Sequence, residues 1–181
     1  MPILTAQGDI RFPKPGFNPD LGIYCDACSP PVRALDLERA KEIIEYAHKG
    51  FEFKTSQGRT HAYARMFTPY CRGVIGFSES VPCWFFNANR PRAGKDYLSG
   101  MTQIAYEGHA FEDAALSDNA DETCKRITAG LLAGRRFFHF ANCQGYLQDK
   151  YFIQAITDKV WCARLLGSNN AASDLHVANE A

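Results

Sequence analysis

Apolar side chains recur at helical spacing in several stretches of this chain, and each of these stretches predicts an amphipathic helix. The stretches cover residues 36–47, 59–74, 97–106, 119–132 and 149–156. The first opens with the capping residue Asp36, and the fourth opens in the same way with Asn119. Pro69 is expected to kink the second helix, because a proline inside a helix removes a backbone hydrogen bond.

Continuous apolar runs of strand length occur at residues 81–86 and 135–142, and they predict buried β-strands. Since these strands alternate with helices, the pattern predicts a parallel sheet with right-handed crossovers. Ligands bind such sheets beyond the carboxyl ends of the strands. Residues 89–96 and the pair Ala141 and Asn142 are therefore expected at one edge of the sheet.

The turn that follows the first run carries the candidate chemistry. Its residues are Asn89, Arg90, Pro91, Arg92, Ala93, Gly94, Lys95, Asp96 and Tyr97. Gly94 lets backbone N–H groups approach a phosphate, Lys95 supplies a positive charge for the β and γ oxygens, and the next helix adds its positive N-terminal end. These residues are expected to bind ATP, unless the stretch is an ordinary strand-to-helix turn.

The turn matches the phosphate-loop pattern G-x-x-x-x-G-K-[ST] only in part. Asn89 takes the place of the first glycine, and Asp96 takes the place of the hydroxyl residue that holds Mg²⁺. Because a carboxylate is itself a Mg²⁺ ligand, Asp96 is the candidate metal ligand. Ala141 stands where an acidic residue is expected, so Lys95 and Asn142 are the candidate catalytic residues.

These elements predict an order of segments along the chain. Residues 1–35 form an extended arm, 36–80 a helical segment, 81–173 a truncated core of the P-loop NTPase type, and 174–181 a flexible tail. Residues 168–173 are expected to form a loop. The predicted fold class is α/β: a partial P-loop NTPase parallel sheet flanked by helices, with an N-terminal extended arm and helical segment.

Composition limits the classes of protein that fit. A chain of 181 residues, 46% hydrophobic and 22% charged, suits one globular domain. The formal net charge is zero, so the chain alone is expected to bind DNA only weakly. With no apolar run of membrane-span length and no signal-peptide pattern at its start, the protein is expected in the cytoplasm and without a membrane partner.

The cysteines favour a reducing compartment, because the chain has 7 of them without a regular disulfide framework. Cys25 and Cys28 have the spacing of a zinc site, but no second ligand pair completes it. The simpler interpretation is a pair of small side chains in a loop.

Taken in their order, several stretches resemble the helicase-like ATPase segment of primase and helicase proteins from phages, prophages and plasmids. They are residues 8–17, 68–70, 92–95, 121–127 and 164–167, so the likeness covers nearly the whole chain. The resemblance implies an AAA+-like core that binds ATP and Mg²⁺ and works on DNA as a homo-oligomer or with a full-length helicase or primase. It also implies a truncation, because the family continues past Gly167 into a further strand.

Asp96 and Ala141 both depart from the family at positions that support Mg²⁺, so ATP hydrolysis is expected to be weak or absent. Two alternatives remain open from the sequence. One is a non-enzymatic interaction module that docks onto a full-length helicase or another replication protein. The other is a degenerate prophage remnant or gene fragment.

Overall fold

The computed structural model describes residues 2–21, 23–25, 34–76, 79–109, 114–115, 119–141, 143, 147–164 and 171–176. The chain divides into two compact units, and each is described by itself. One contains Met1–Val74 and Asn87–Gly108, and the other contains Ile75–Phe86 and His109–Ala181.

The first unit begins with short strands joined by turns. β1 (Ile3–Leu4) pairs antiparallel with β2 (Ile10–Arg11), and β3 (Gly16–Asn18) pairs antiparallel with β4 (Ile23–Cys25). The start of the chain is anchored, because Ile3 is buried and the N–H of Leu4 donates to the carbonyl of Tyr70 at 2.9 Å. Gly73 permits this close approach, since a Cβ there would collide with the carbonyl oxygen of Leu4.

Four helices follow in the described part of this chain region: α1 (Leu37–His48), α2 (Ser56–Phe67), α3 (Arg72–Ile75) and α4 (Lys95–Glu107). Asp36 caps α1 by accepting from the N–H of Arg39, as the sequence predicts. The prediction of one kinked helix over 59–74 was wrong. α2 ends at Phe67, and Pro69 lies in the turn that separates α2 from α3. Proline ends the helix here rather than bending it.

Polar contacts connect α2 and α4. The guanidinium of Arg65 is buried and donates to the Thr102 hydroxyl at 2.6 Å, and the Tyr106 hydroxyl donates to the carbonyl of Met66 at 2.8 Å. A buried cation must be held by acceptors to offset its desolvation. These contacts therefore fix α4, and with it the turn that precedes α4, relative to α2.

The second unit is built around β5 (Ala114–Ala115), α5 (Ala120–Leu132), β6 (Phe140–Ala141), α6 (Lys150–Thr157), β7 (Val160–Arg164) and β8 (Ala171–His176). Its buried centre is formed by Ile127 and Trp161, against which Leu131, Phe140 and Tyr151 pack. β5 and β6 are parallel, and β7 and β8 are antiparallel. The described residues thus form a mixed α and β structure, as predicted in outline, with only short strand pairs.

The strand predictions needed correction. Residues 81–86 form no strand: Pro82 lacks a backbone donor, and Phe85 is 67% exposed, so the run is not buried on both faces. Of the predicted strand over 135–142, the pairing in β6 covers Phe140–Ala141. At the other end, β8 occupies residues 171–176, where a loop and a flexible tail were predicted.

Candidate functional site

The predicted phosphate-binding turn leads directly into α4. Gly94 is the N-cap residue, with φ +81° and ψ 12°, and it makes no side-chain cap. The first N–H groups of an α-helix have no carbonyl acceptor within the helix, and the helix dipole gives this end a partial positive charge. The backbone at Lys95, Asp96 and Tyr97 therefore offers donors to an anion.

The sign of the backbone angle φ alternates in the residues just before α4. Arg92 has φ +59° and Gly94 has φ +81°, whereas Ala93 between them has no positive φ and Lys95 is helical. Such alternation can turn successive N–H groups toward one side, which is the backbone arrangement of concave anion sites. For an arginine the left-handed conformation costs about 1–2 kcal/mol, so Arg92 is a locally strained position in the turn.

The side chains of the turn are open to solvent. Asn89, Arg90, Pro91, Arg92 and Ala93 are exposed. The side chain of Lys95 is 36% exposed, and its Nζ lies 2.8 Å from Oδ1 of Asp96. Tyr97 is 79% exposed on the first turn of α4. The structure thus brings the predicted cations and the predicted metal ligand together at one helix end.

Phe51 supports this turn and was not foreseen from the sequence. A Cβ added to Gly94 would lie 3.3 Å from Cε1 of Phe51, so the aromatic ring rests against the glycine. Phe51 follows α1, and its N–H donates to the carbonyl of His48. His48 is buried, and the centroid of its ring lies 4.8 Å from that of the Tyr63 ring. No sequence signal links Phe51 to Gly94, because a contact between distant positions leaves no local pattern.

The donor chemistry of the turn suits a metal that arrives with phosphates. Among the residues that the structure describes, no group of three or more His, Cys, Asp or Glu side chains could hold a metal ion by itself. Mg²⁺ is commonly bound through one or two carboxylates together with substrate phosphates and waters. Asp96 fits that role as a single carboxylate, whereas Cys28 of the zinc hypothesis lies outside the described residues.

The described structure does not test the second predicted half of the site. Ala141 ends β6 in the second unit, whereas the turn before α4 belongs to the first unit. Asn142, the other candidate catalytic residue, lies outside the described residues. The shared sheet edge therefore stays a prediction.

Two cysteine thiols of the second unit, those of Cys83 and Cys124, have a raised pKa. Burial raises the pKa of Cys83, and the negative charge of Cys143 raises it further. Burial likewise raises the pKa of Cys124. Since the thiolate is the reactive form, neither side chain has the activated character of a catalytic cysteine.

Within the described ranges, none of the helices combines the length and the apolar character that crossing a membrane requires. The chain matches no protein-family model, no curated protein and no solved structure.

Proposed function

We propose that this protein binds the phosphates of a nucleotide at the turn formed by residues 89–97. The nucleotide that we propose is ATP. The observation that carries the proposal is the alternation in the sign of φ from Arg92 to Lys95 at the start of α4. A concave row of N–H groups and a helix N-terminus favour the same ligand, an anion with several oxygens.

The charged side chains of the turn suit that ligand. Lys95 is placed at the first position of α4 and is the lysine of the turn, so it contacts the β and γ phosphate oxygens. Arg90 and Arg92 are exposed and add positive charge around the same backbone. Gly94 has no side chain to block the phosphates from the N–H groups.

The wider role that we propose is that of a helicase-like, AAA+-like nucleotide-binding segment of a mobile-element replication protein, acting in the cytoplasm with Mg²⁺. Its partners would be further copies of the chain or a full-length helicase or primase, with DNA bound weakly by the chain alone. Support comes from the turn and from the order of the sequence stretches that resemble that family. Hydrolysis is slow or absent in this proposal, because Asp96 replaces the hydroxyl that normally helps to place the metal.

A second candidate function, a non-enzymatic docking module, is favoured by a different observation. Large apolar side chains are exposed throughout the first part of the chain, namely Ile10, Phe12, Phe17, Tyr24, Leu35, Leu37, Ile43 and Tyr46. Phe17 and Tyr24 are directly paired across β3 and β4 and are 67% and 75% exposed. Adjacent exposed apolar side chains are typical of interaction sites, and this pair is the candidate for one.

The test of nucleotide binding compares the wild type with Lys95→Ala by calorimetry with Mg·ATP, with phosphate release followed in the same samples. Lys150→Ala is the matched control, because Lys150 holds the same first position in α6. We expect Lys95→Ala to lose at least about tenfold in affinity, since it removes a charge-assisted hydrogen bond. Equal affinities of wild type and Lys95→Ala would refute the site, and rapid phosphate release would refute the proposal of weak turnover.

The docking function is separated from nucleotide binding by Phe17→Ser combined with Tyr24→Ser. If the exposed pair docks onto a full-length helicase subunit, this double variant loses the complex in sedimentation experiments while its ATP affinity is unchanged. A complex that survives both substitutions would contradict a docking role for these strands.

A further inference from the structure

α4 buries its polar side and exposes its apolar side. Its buried residues are small or polar, namely Ser99, Gly100, Thr102 and Gln103. On the opposite side, Tyr97 is 79% exposed, Ile104 is 46% exposed, Ala105 is exposed and Met101 is half-buried. A helix that packs only onto its own unit turns its apolar stripe inward. The exposed stripe of α4 is therefore the side of this helix that gains most from a partner.

The outer face of α4, formed by residues 97, 101, 104, 105 and 108, is continuous and uncharged. These positions have the spacing that places side chains on one face of a helix. The charged residues of α4 are Lys95, Asp96 and Glu107, and they lie at its two ends. At Gly108 an added Cβ would meet no described atom within 4 Å, so this end of the face is open to a neighbour.

The outer face of α4 is complementary to itself in an antiparallel pair. A two-fold axis opposite Met101 places Tyr97 of one copy beside Ala105 of the other, because both positions are four residues from Met101. A large side chain then faces a small one on each side of the axis, which allows close packing. The same axis brings the N-terminal end of one α4, with Lys95, towards the C-terminal end of the other, with Glu107. The helix dipoles of such a pair also attract each other.

We propose that the outer face of α4 binds the same face of a second copy of this chain, in antiparallel orientation about Met101. A second copy fits better than a strongly charged protein, because the face between its ends offers no charge to pair with. The proposal does not depend on nucleotide binding at the preceding turn. A helix of this length is about 20 Å long and 10 Å wide, so one face covers only part of the about 800 Å² per partner of a stable interface. We therefore expect a weak dimer, with a dissociation constant between about 1 µM and 1 mM.

Sedimentation equilibrium of the full chain tests the interface with the wild type, Ala105→Arg and Ala47→Arg. Ala47 is the matched control, because it is an exposed alanine of α1. We expect Ala105→Arg to weaken the dimer at least about tenfold, because it places an unpaired charge in an apolar contact, and Ala47→Arg to leave it unchanged. Ile104→Ser must weaken the dimer as well, and circular dichroism checks that each variant is folded. A wild type that stays monomeric up to about 1 mM, or equal weakening by both arginines, would overturn the proposal.

The position of the two-fold axis is tested by disulfide formation between copies. A disulfide requires two Cα atoms within about 7 Å of each other, so only a residue close to the axis can link to itself. On mild oxidation, Met101→Cys is expected to give more covalent dimer than the wild type, whose 7 native cysteines set the background. Ala47→Cys is the control and should not exceed that background. A Met101→Cys chain that forms no more covalent dimer than Ala47→Cys would overturn the antiparallel arrangement.

Discussion

Replacing the glycine at the start of α4 tests the geometry of the turn most directly. Gly94→Ala places a Cβ on a residue at φ +81°, where a side chain costs about 1–2 kcal/mol. The new Cβ also lies 3.3 Å from Phe51 Cε1, so the ring has to move. If it leaves its preferred rotamer, that adds roughly 0.5–1.5 kcal/mol.

Gly108→Ala provides the matched control at the other end of the same helix. Gly108 also has positive φ, at +77°, but a Cβ there would meet nothing within 4 Å. Both variants therefore share the backbone cost, and the difference between them isolates the contact with Phe51. Only Gly94→Ala alters the backbone N–H groups that are proposed to hold phosphate.

Amide hydrogen exchange over Lys95–Glu107 is the appropriate assay, because the sequence has only 2 tryptophans and both belong to the second unit. If the free energy of opening α4 falls by about one to two kcal/mol, its amides exchange about 5- to 30-fold faster. The increase in exchange rate should be larger in Gly94→Ala than in Gly108→Ala. Mg·ATP affinity should fall in Gly94→Ala alone. Equal exchange in the two variants, together with unchanged affinity, would refute the role assigned to Gly94.

The remaining predictions concern the support of the turn, the core of the second unit and nucleic acid. Phe51→Ala should lower Mg·ATP affinity several-fold by calorimetry, whereas Phe53→Ala should leave it unchanged, because Phe51 contacts Gly94 and Phe53 packs near Gly58; equal losses would contradict this. Trp161→Phe should cost about 1–2 kcal/mol in urea unfolding followed by circular dichroism, since Nε1 of the fully buried Trp161 donates to Thr128; an unchanged midpoint would count against it. Single-stranded DNA should bind weakly with a steep salt dependence in fluorescence anisotropy, and tight binding at physiological salt would reveal an unrecognised basic surface.

The helices were largely predictable because their determinants are local. A cap forms within a few residues: Asp36 accepts from Arg39 at 2.9 Å, and Asp149 accepts from Tyr151 and Phe152 at the start of α6. At the other end of α4, Gly108 takes the left-handed conformation that terminates a helix. The hydrogen bonds that define a helix also span only four residues, so the sequence pattern contains almost all of the information.

The strands were predicted poorly because their partners are distant and their burial depends on the whole fold. The apolar run at 81–86 indicates a buried strand only if another strand lies beside it. Conversely, β8 contains small and polar residues that favour no strand, and its pairing with β7 decides its conformation. The sequence signal for a hairpin was the composition of residues 167–170, because glycine, serine and asparagine are residue types that favour turns.

The candidate site was predictable in its backbone and less so in its contacts. Gly94 and Lys95 were identified from the glycine, the lysine and the helix that follows, and the structure places Gly94 in the left-handed conformation at the N-cap of α4. The support from Phe51 was missed because it joins distant positions. The contact between Lys95 and Asp96 was missed because the sequence shows that the two charges are adjacent but not that they face each other.

Within the first unit, the turn before α4 is held by contacts with other elements of that unit. Residues 81–86 form no strand and belong to the other unit. Phe51 packs against Gly94 and holds the turn. The hydrogen bonds that Arg65 of α2 and Tyr106 of α4 make between these two helices hold α4. The directions of the N–H groups depend on the backbone angles of the turn itself, so these contacts are expected to preserve the proposed anion site. If the turn binds nucleotide as proposed, substitutions that loosen the packing of α2 against α4, such as Arg65→Ala, should lower that affinity, and an unchanged affinity by calorimetry would contradict this role of the α2 contacts.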